Sequence, residues 1–194
     1  MNFFKKLFNK SSFKDEAIEG QKVQLSLDDA FVHHFIEKGG KFLYCISESD
    51  VTNNLLQILK ETSWDTITCL DKQLEKLLKK EGIKTTTAFD IHTPFFTTCE
   101  HLISDNGDIL FSSNQLSTHK IATLTDNFIV FAKTSQMVKD TGQGLTGIKS
   151  NCKNHIPTNI SAIKNYTLKK DDDNFLNYGN NNAKNLFLLL LEDL

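Results

Sequence analysis

Short apolar runs alternate with amphipathic stretches through the first half of the chain. The runs at 41–46 and 66–70 are bounded by Gly, Ser and Asp and predict buried strands. Apolar positions recur at helical spacing over 51–59 and 74–78, and a further helix is predicted over 28–38, where acids open the first turn and Gly-Gly follows. Strands and helices that alternate at this spacing predict right-handed crossovers and a parallel sheet.

The second half of the chain is richer in aromatic and β-branched residues. The stretch 95–112 is interrupted by Asn106-Gly107, a strong local signal for a hairpin turn. The runs at 127–132 and 186–191 predict two more buried strands, of which the last is expected to be central because it is apolar on both faces. The other elements expected here are a helix opened by Ser135 and a short strand at 160–163.

The pattern as a whole predicts an α/β fold with a mainly parallel sheet, helices on both faces and a β-hairpin around 105–108. The 194 residues suffice for one domain, expected over 28–194, after an N-terminal arm or linker over 1–27. The arm's first residues put several apolar side chains on one helical face beside two lysines. The apolar residues are Phe3, Phe4, Leu7 and Phe8, and the lysines are Lys5 and Lys6.

Two interpretations of this arm are open. It is a docking segment for a membrane surface or a partner, or a short helix that covers its own domain or a neighbouring subunit, as in a homodimer. The second is favoured because interfacial anchors are usually longer and more cationic.

Charge and composition exclude several classes of protein. The net charge is −2 and the chain contains no Arg, so we expect no nucleic-acid partner. No apolar run approaches the roughly 20 residues of a membrane span, and because no apolar stretch follows Lys5 and Lys6, residues 1–8 are not expected to be a signal peptide. The four cysteines form no C-x-x-C, so they are expected to be free structural thiols in a cytoplasmic protein. They are Cys45, Cys69, Cys99 and Cys152.

Two further patterns are assigned structural roles. Gly142 to Gly147 reads G-x-G-x-x-G, but dinucleotide binding needs a strand that runs directly into the glycines and a helix that starts there. The helix expected from Ser135 places the glycines at a helix end instead. The six histidines show no metal-ligand spacing, so no metal site is expected.

The segment from Glu100 to Asp108 carries the candidate chemistry. Glu100, Asp105, Asn106, Gly107 and Asp108 lie around the expected turn at a strand end, and open α/β sheets bind ligands beyond the carboxyl ends of their strands. Neighbouring carboxylates repel, which raises at least one pKa and suits acid–base work or cation binding. A solvated hairpin tip explains the same residues equally well.

Four stretches, in order, resemble the LUD-domain family of the lactate utilization protein B/C type, and most closely the short lactate utilization protein C. The family's G-A-D-x-x-I-A-[ED]-T-G-T-L-V is similar to 98–110, and its L-L-P-x-x-H-I to 123–131. Its P-S-x-T-A-D-I is similar to 157–163, and its closing G-x-H-G-P-x-x-L to 179–186. The resemblance runs from Asp28 to the C-terminus.

The resemblance implies a fold like that of the NagB/RpiA/CoA-transferase group and a cytoplasmic protein of L-lactate oxidation to pyruvate. It implies iron–sulfur partner subunits, a small-molecule ligand and no cofactor in this chain. On this hypothesis Glu100 or Asp105 is the acid–base group, and Asn106, Gly107 and Asp108 contact the ligand. Whether the chain is itself an enzyme is left open.

Departures from the family pattern support two alternatives. Thr125 and Phe128 replace a Pro and a His, and Ala162 replaces an Asp; Asn181-Asn182-Ala183 replaces H-G-P. One alternative is a non-catalytic binding or assembly module on the same scaffold. The other is a divergent enzyme of the CoA-transferase or cyclo-ligase kind that uses Glu100.

Overall fold

The computed structural model describes residues 26–151, 156–168 and 182–193. The N-terminal arm to residue 25, Cys152 and Asn181 lie outside the described residues. The helices are α1 Leu27–Glu37, α2 Glu48–Thr62, α3 Lys72–Lys80, α4 Ser113–Leu116 and α5 Thr141–Asn151. The strands are β1 Lys41–Cys45, β2 Thr66–Thr68, β3 Lys84–Thr86, β4 Phe95–Thr98, β5 His101–Ile103, β6 Asp108–Phe111, β7 Asn127–Lys133, β8 Met137–Val138, β9 Ser161–Ile163 and β10 Asn185–Leu191.

Six of the strands form one parallel sheet in the order β1-β10-β7-β4-β2-β3. The last strand, β10, lies between β1 and β7, which confirms that it is central. Its side chains alternate between the two faces of the sheet, with Leu188 in one apolar cluster and Leu189 in the other. Because the strands are parallel, their carboxyl ends meet at one edge of the sheet.

The other four described strands form a second, smaller sheet in the order β8-β5-β6-β9. The chain leaves the large sheet after Thr98, and β5 and β6 pair as an antiparallel hairpin around Gly107. The expected hairpin is therefore confirmed. It belongs to this second layer and not to the edge of the large sheet.

Each face of the large sheet is covered by its own apolar cluster. On one face, α2 and α3 pack through residues such as Leu55 and Leu78. On the other, α1 and the second sheet pack through residues such as Phe35, Leu102 and Phe111. The expected α/β fold with covered faces is confirmed.

Helix starts follow the capping residues in the sequence. The Ser47 hydroxyl accepts the Asp50 N–H at the start of α2, and the Asp71 carboxylate accepts the Gln73 and Leu74 N–H groups at the start of α3. The α1 helix begins at Leu27 with Ser26 as its cap, one residue before the expected boundary.

The prediction of a helix from Ser135 is wrong. Residues 134–136 form a single 3₁₀ turn, β8 follows, and α5 begins at Thr141. Asp140 starts this helix, because its carboxylate accepts the Gln143 N–H at 2.9 Å while the Gln143 side chain accepts the Lys139 N–H at 3.1 Å.

The glycine motif therefore lies in the first half of α5 rather than at a helix end. Its glycines bring α5 close to the second sheet: a Cβ on Gly144 would lie 2.8 Å from the Leu110 side chain, and one on Gly147 would lie 2.7 Å from the His101 ring. The Asp140 carboxylate caps the helix start, the position that a phosphate takes in dinucleotide-binding helices. Close packing explains the glycines.

Candidate functional site

Glu100 lies just beyond the carboxyl end of β4, at the edge of the large sheet where ligands bind in open α/β folds. Its Oε1 accepts hydrogen bonds from the Ser112 hydroxyl at 2.6 Å and from the Asn114 amide at 2.8 Å. The residue is half-buried. Two donors thus fix the direction of a carboxylate that solvent still reaches.

The Gln136 side chain holds the main chain on either side of this carboxylate. Its Nε2 donates to the Cys99 carbonyl at 2.7 Å and to the Glu100 carbonyl at 3.3 Å, while its Oε1 accepts the Lys133 N–H at 2.8 Å. Gln136 therefore ties the end of β7 to the end of β4. This contact fixes the backbone from which Glu100 extends.

Asp193 ties the end of β10 to the end of β7. Its carboxylate accepts the Thr134 hydroxyl, the Ser135 N–H and the Ser135 hydroxyl, at 2.8–2.9 Å. Desolvation raises the pKa of this carboxyl, but these hydrogen bonds and the Lys133 charge outweigh it and lower the pKa overall. The charged carboxylate therefore links the ends of the two strands by hydrogen bonds.

A cavity of about 390 Å³ opens at the same edge, between the start of α1 and the ends of β1, β7 and β10. We call it the edge pocket. Its lining includes Leu27, Asp28, Tyr44, Ser135, Met137 and Glu192. Burial raises the pKa of the Tyr44 phenol, as do a hydrogen bond with Glu192 and the nearby Asp28 charge, so the phenol is neutral at ordinary pH.

The predicted turn lies away from both features. Glu100 precedes β5 and the turn follows it, so the length of β5 separates Glu100 from Asp105. Asp105 is exposed to solvent. Asp108 is buried and pairs with the Lys38 ammonium at 2.8 Å. The structure therefore does not gather the acids of the segment into one site.

The rest of the turn packs against α1. Gly107 has φ +70°, and its carbonyl accepts the Tyr166 hydroxyl at 2.6 Å. The Asn106 side chain accepts the Asp108 N–H at 3.0 Å and thereby shapes the turn. Asp105 is the exposed part of the turn, whereas Gly107 and Asp108 are buried, and the buried part is a packing contact between the hairpin and α1.

Comparison with known proteins gives the family. A model of the LUD domain matches residues 29–191. The chain belongs to the LUD-domain family. The fold also matches the crystal structure of a DUF162 family protein from Deinococcus radiodurans, with a TM-score of 0.61 and 10% identity over 88% of this chain and 100% of that one. A search of the curated proteins finds no match.

Two of the positions that the resemblance marked as departures, Thr125 and Phe128, lie in the interior of this LUD domain. Thr125 is buried, and its hydroxyl donates to the Ile91 carbonyl at 3.0 Å. Phe128 is fully buried, with its ring centroid 5.4 Å from that of Phe95. Both residues serve packing.

The described cysteines of the LUD domain are buried and form no disulfide. Burial raises the pKa of the Cys99 thiol well above its ordinary range, and it raises that of Cys69 to about 11, so neither thiol is a ready nucleophile. Within the described ranges, no three His, Cys, Asp or Glu side chains are grouped as metal ligands. No helix in these ranges has the length and apolarity of a membrane span.

Glu100 was predicted to lie at the acidic turn, and the structure places it at the end of β4 instead. The residues near the edge pocket were not predicted from the sequence. Tyr44 lies in the last part of β1, Gln136 lies shortly after β7, and Glu192 and Asp193 directly follow β10. A position at a strand end is the signal that could have pointed to them, but no local pattern reveals the order of these strands in the sheet.

Proposed function

We propose that this LUD-domain protein supports L-lactate utilization, the oxidation of lactate to pyruvate, as a small-molecule-binding subunit in the cytoplasm. Its membership of the LUD family supports the pathway. The observation that supports a ligand-binding site is the position of Glu100. It is a half-buried carboxylate that Ser112 and Asn114 orient, and it lies where the carboxyl ends of the parallel strands meet.

In this proposal Glu100 is the acid–base group. Of the two acids that the sequence offered for this role, Asp105 lies at the other end of the hairpin strand. A carboxylate beside a bound hydroxy acid can accept the hydroxyl proton. The C2–H bond of lactate also breaks in this oxidation: its two electrons pass to iron–sulfur partner subunits and its proton passes to solvent, and this chain carries no cofactor of its own. The Asn106–Asp108 turn supports the fold near α1.

A complementation experiment tests the proposal. A strain that lacks the gene and any paralogue should fail to grow on L-lactate, and the wild-type gene should restore growth. Glu100→Gln keeps the acceptor for Ser112 but cannot take up a proton, so we expect it to fold and not to restore growth. Glu37→Gln, an exposed change on α1, is the control. Full growth with a folded Glu100→Gln protein would refute the role of Glu100, and normal growth of the deletion strain would refute the pathway.

A second candidate function is a non-catalytic assembly module. It is favoured by the structural use of residues expected to bind a ligand: Asp108 pairs with Lys38, and Gly107 packs on α1. In this case partners, or a second copy of the chain, bind through the N-terminal arm. Pull-down and sedimentation with and without residues 1–20 test it. Loss of a partner or dimer on truncation supports the module, and unchanged assembly contradicts it.

A further inference from the structure

The edge pocket is separate from Glu100 and combines a concave shape with an unbalanced charge. Asp28 comes from the first turn of α1 and Glu192 from the end of β10, so two distant parts of the chain bring carboxylates to one cavity. Among the described residues that line it, none carries a positive charge. The nearby Lys133 ammonium is directed to Asp193, at 4.0 Å.

This charge distribution selects the class of ligand. Two carboxylates with no cation in the described lining make the potential in the cavity negative, so anions such as lactate are repelled and cations are attracted. Both carboxylates line the same cavity as the Tyr44 phenol, and both contribute, after burial, to the raised pKa of that phenol. Glu192 is exposed, and a carboxylate has about four acceptor sites, so it keeps acceptor capacity for a ligand beside the Tyr44 phenol.

The rest of the lining supplies apolar contact. Leu27 is 47% exposed, so its side chain is open to a ligand, and Met137 adds a flexible thioether side chain. The volume of about 390 Å³ lies in the range of small-ligand sites. A short alkyl chain can contact these side chains while a charged end faces the acids.

We propose that the edge pocket binds a small organic cation, a primary ammonium group on a short alkyl chain, between Asp28 and Glu192. The ammonium donates hydrogen bonds to the two carboxylates, and the alkyl chain lies against Leu27 and Met137. Because Glu192 is exposed and Asp28 only half-buried, we expect binding in the millimolar range that weakens as salt is added.

The test is an NMR titration of the full chain, labelled with ¹⁵N, with n-butylammonium chloride at low salt. We expect saturable shifts at the amides of Tyr44, Met137 and Glu192. Sodium butyrate and 1-butanol have the same alkyl chain without the positive charge, and neither should produce these shifts. Saturation by butanol or butyrate at these amides, or no shift with butylammonium, would overturn the proposal.

Two variants locate the site. Glu192→Gln and Asp28→Asn together should weaken butylammonium binding about tenfold or more, while Glu37→Gln, at the far end of α1, should leave it unchanged. Equal affinity in the double variant and the wild type would also overturn the proposal. The result is independent of growth on lactate, so this inference and the proposed pathway succeed or fail separately.

Discussion

At the scale of single residues, Gly107 decides how closely the hairpin approaches α1. Its φ is +70°, and a Cβ at this position would lie 2.6 Å from the Phe35 backbone nitrogen. A backbone atom of a helix cannot move aside as a side chain can. Any other residue therefore has to displace either the turn or the helix.

We predict that Gly107→Ala lowers the free energy of unfolding by about 2–4 kcal/mol, from backbone strain and the clash with α1 together. Gly82→Ala is the matched control, because Gly82 has φ +72° but nothing within 4 Å of the added Cβ. It should cost only about 1 kcal/mol. Urea denaturation of both variants measures the difference, and equal losses would show that contact with α1 contributes nothing.

At the scale of elements, one buried ion pair joins α1 to the second sheet. Lys38 follows the last turn of α1, and Asp108 opens β6; their side chains are 30% and 4% exposed. A carboxylate this deeply buried depends on its partner, because removal of the cation leaves an unpaired charge in a place of low dielectric constant.

A double-mutant cycle tests this coupling. Lys38→Met alone should destabilise the fold by about 2–3 kcal/mol, and Asp108→Asn in the same background should recover part of the loss. The pair Glu75–Lys79 on the surface of α3, with side chains 30% and 62% exposed and a separation of 2.7 Å, is the control and should couple by about 0.5 kcal/mol or less. If both cycles give the same small energy, the buried pair does not hold α1 in place.

The elements that the sequence predicted correctly are those with a local signal. Apolar runs mark β1, β7 and β10, and capping side chains such as Ser47 and Asp71 mark helix starts. The strand β3 was missed because Lys84–Thr86 has no apolar residue and is the outermost strand of the sheet, next to β2. The start of α5 was misplaced because its cap, Asp140, acts with a side chain, Gln143, inside a run of glycines.

At the scale of the whole molecule, sheet order decides which residues form the site. Glu100 was named from the sequence as one acid of the 100–108 segment, and the structure separates it from the other acids of that segment. Asp193 meets Thr134 and Ser135 only because β10 inserts beside β7, a pairing between residues 58 positions apart. Tyr44 meets Glu192 for the same reason on the other side of β10. Local pattern carries no information on that order, so the edge pocket could not be predicted.

The molecule also buries several weak acids, and this sets its response to alkaline pH. Burial raises the pKa of Tyr44 and of Tyr166, and it does the same for the thiols of Cys45, Cys69 and Cys99. In the unfolded chain these groups lose their protons near their ordinary pKa values, 9.0 for Cys and 10.0 for Tyr. In the folded chain they keep their protons to higher pH. The unfolded state therefore gains stability above pH 9.

We predict that stability is constant with respect to these groups below about pH 9 and falls as the pH rises from about 9 to about 11. The effect of Lys184 on stability as the pH rises has the opposite sign. Burial lowers its pKa below 10.5, so its charge destabilises the folded state at neutral pH and this cost is relieved as the pH rises. Thermal unfolding between about pH 7 and about pH 11 measures the net effect of all these groups on stability.

Two variants separate the contributions. Cys99→Ala removes a buried thiol and should make the decrease of the melting temperature with pH shallower, and Lys184→Met removes the opposing group and should make it steeper. A melting temperature that stays level across this range in all three proteins would contradict the assignment of these buried groups.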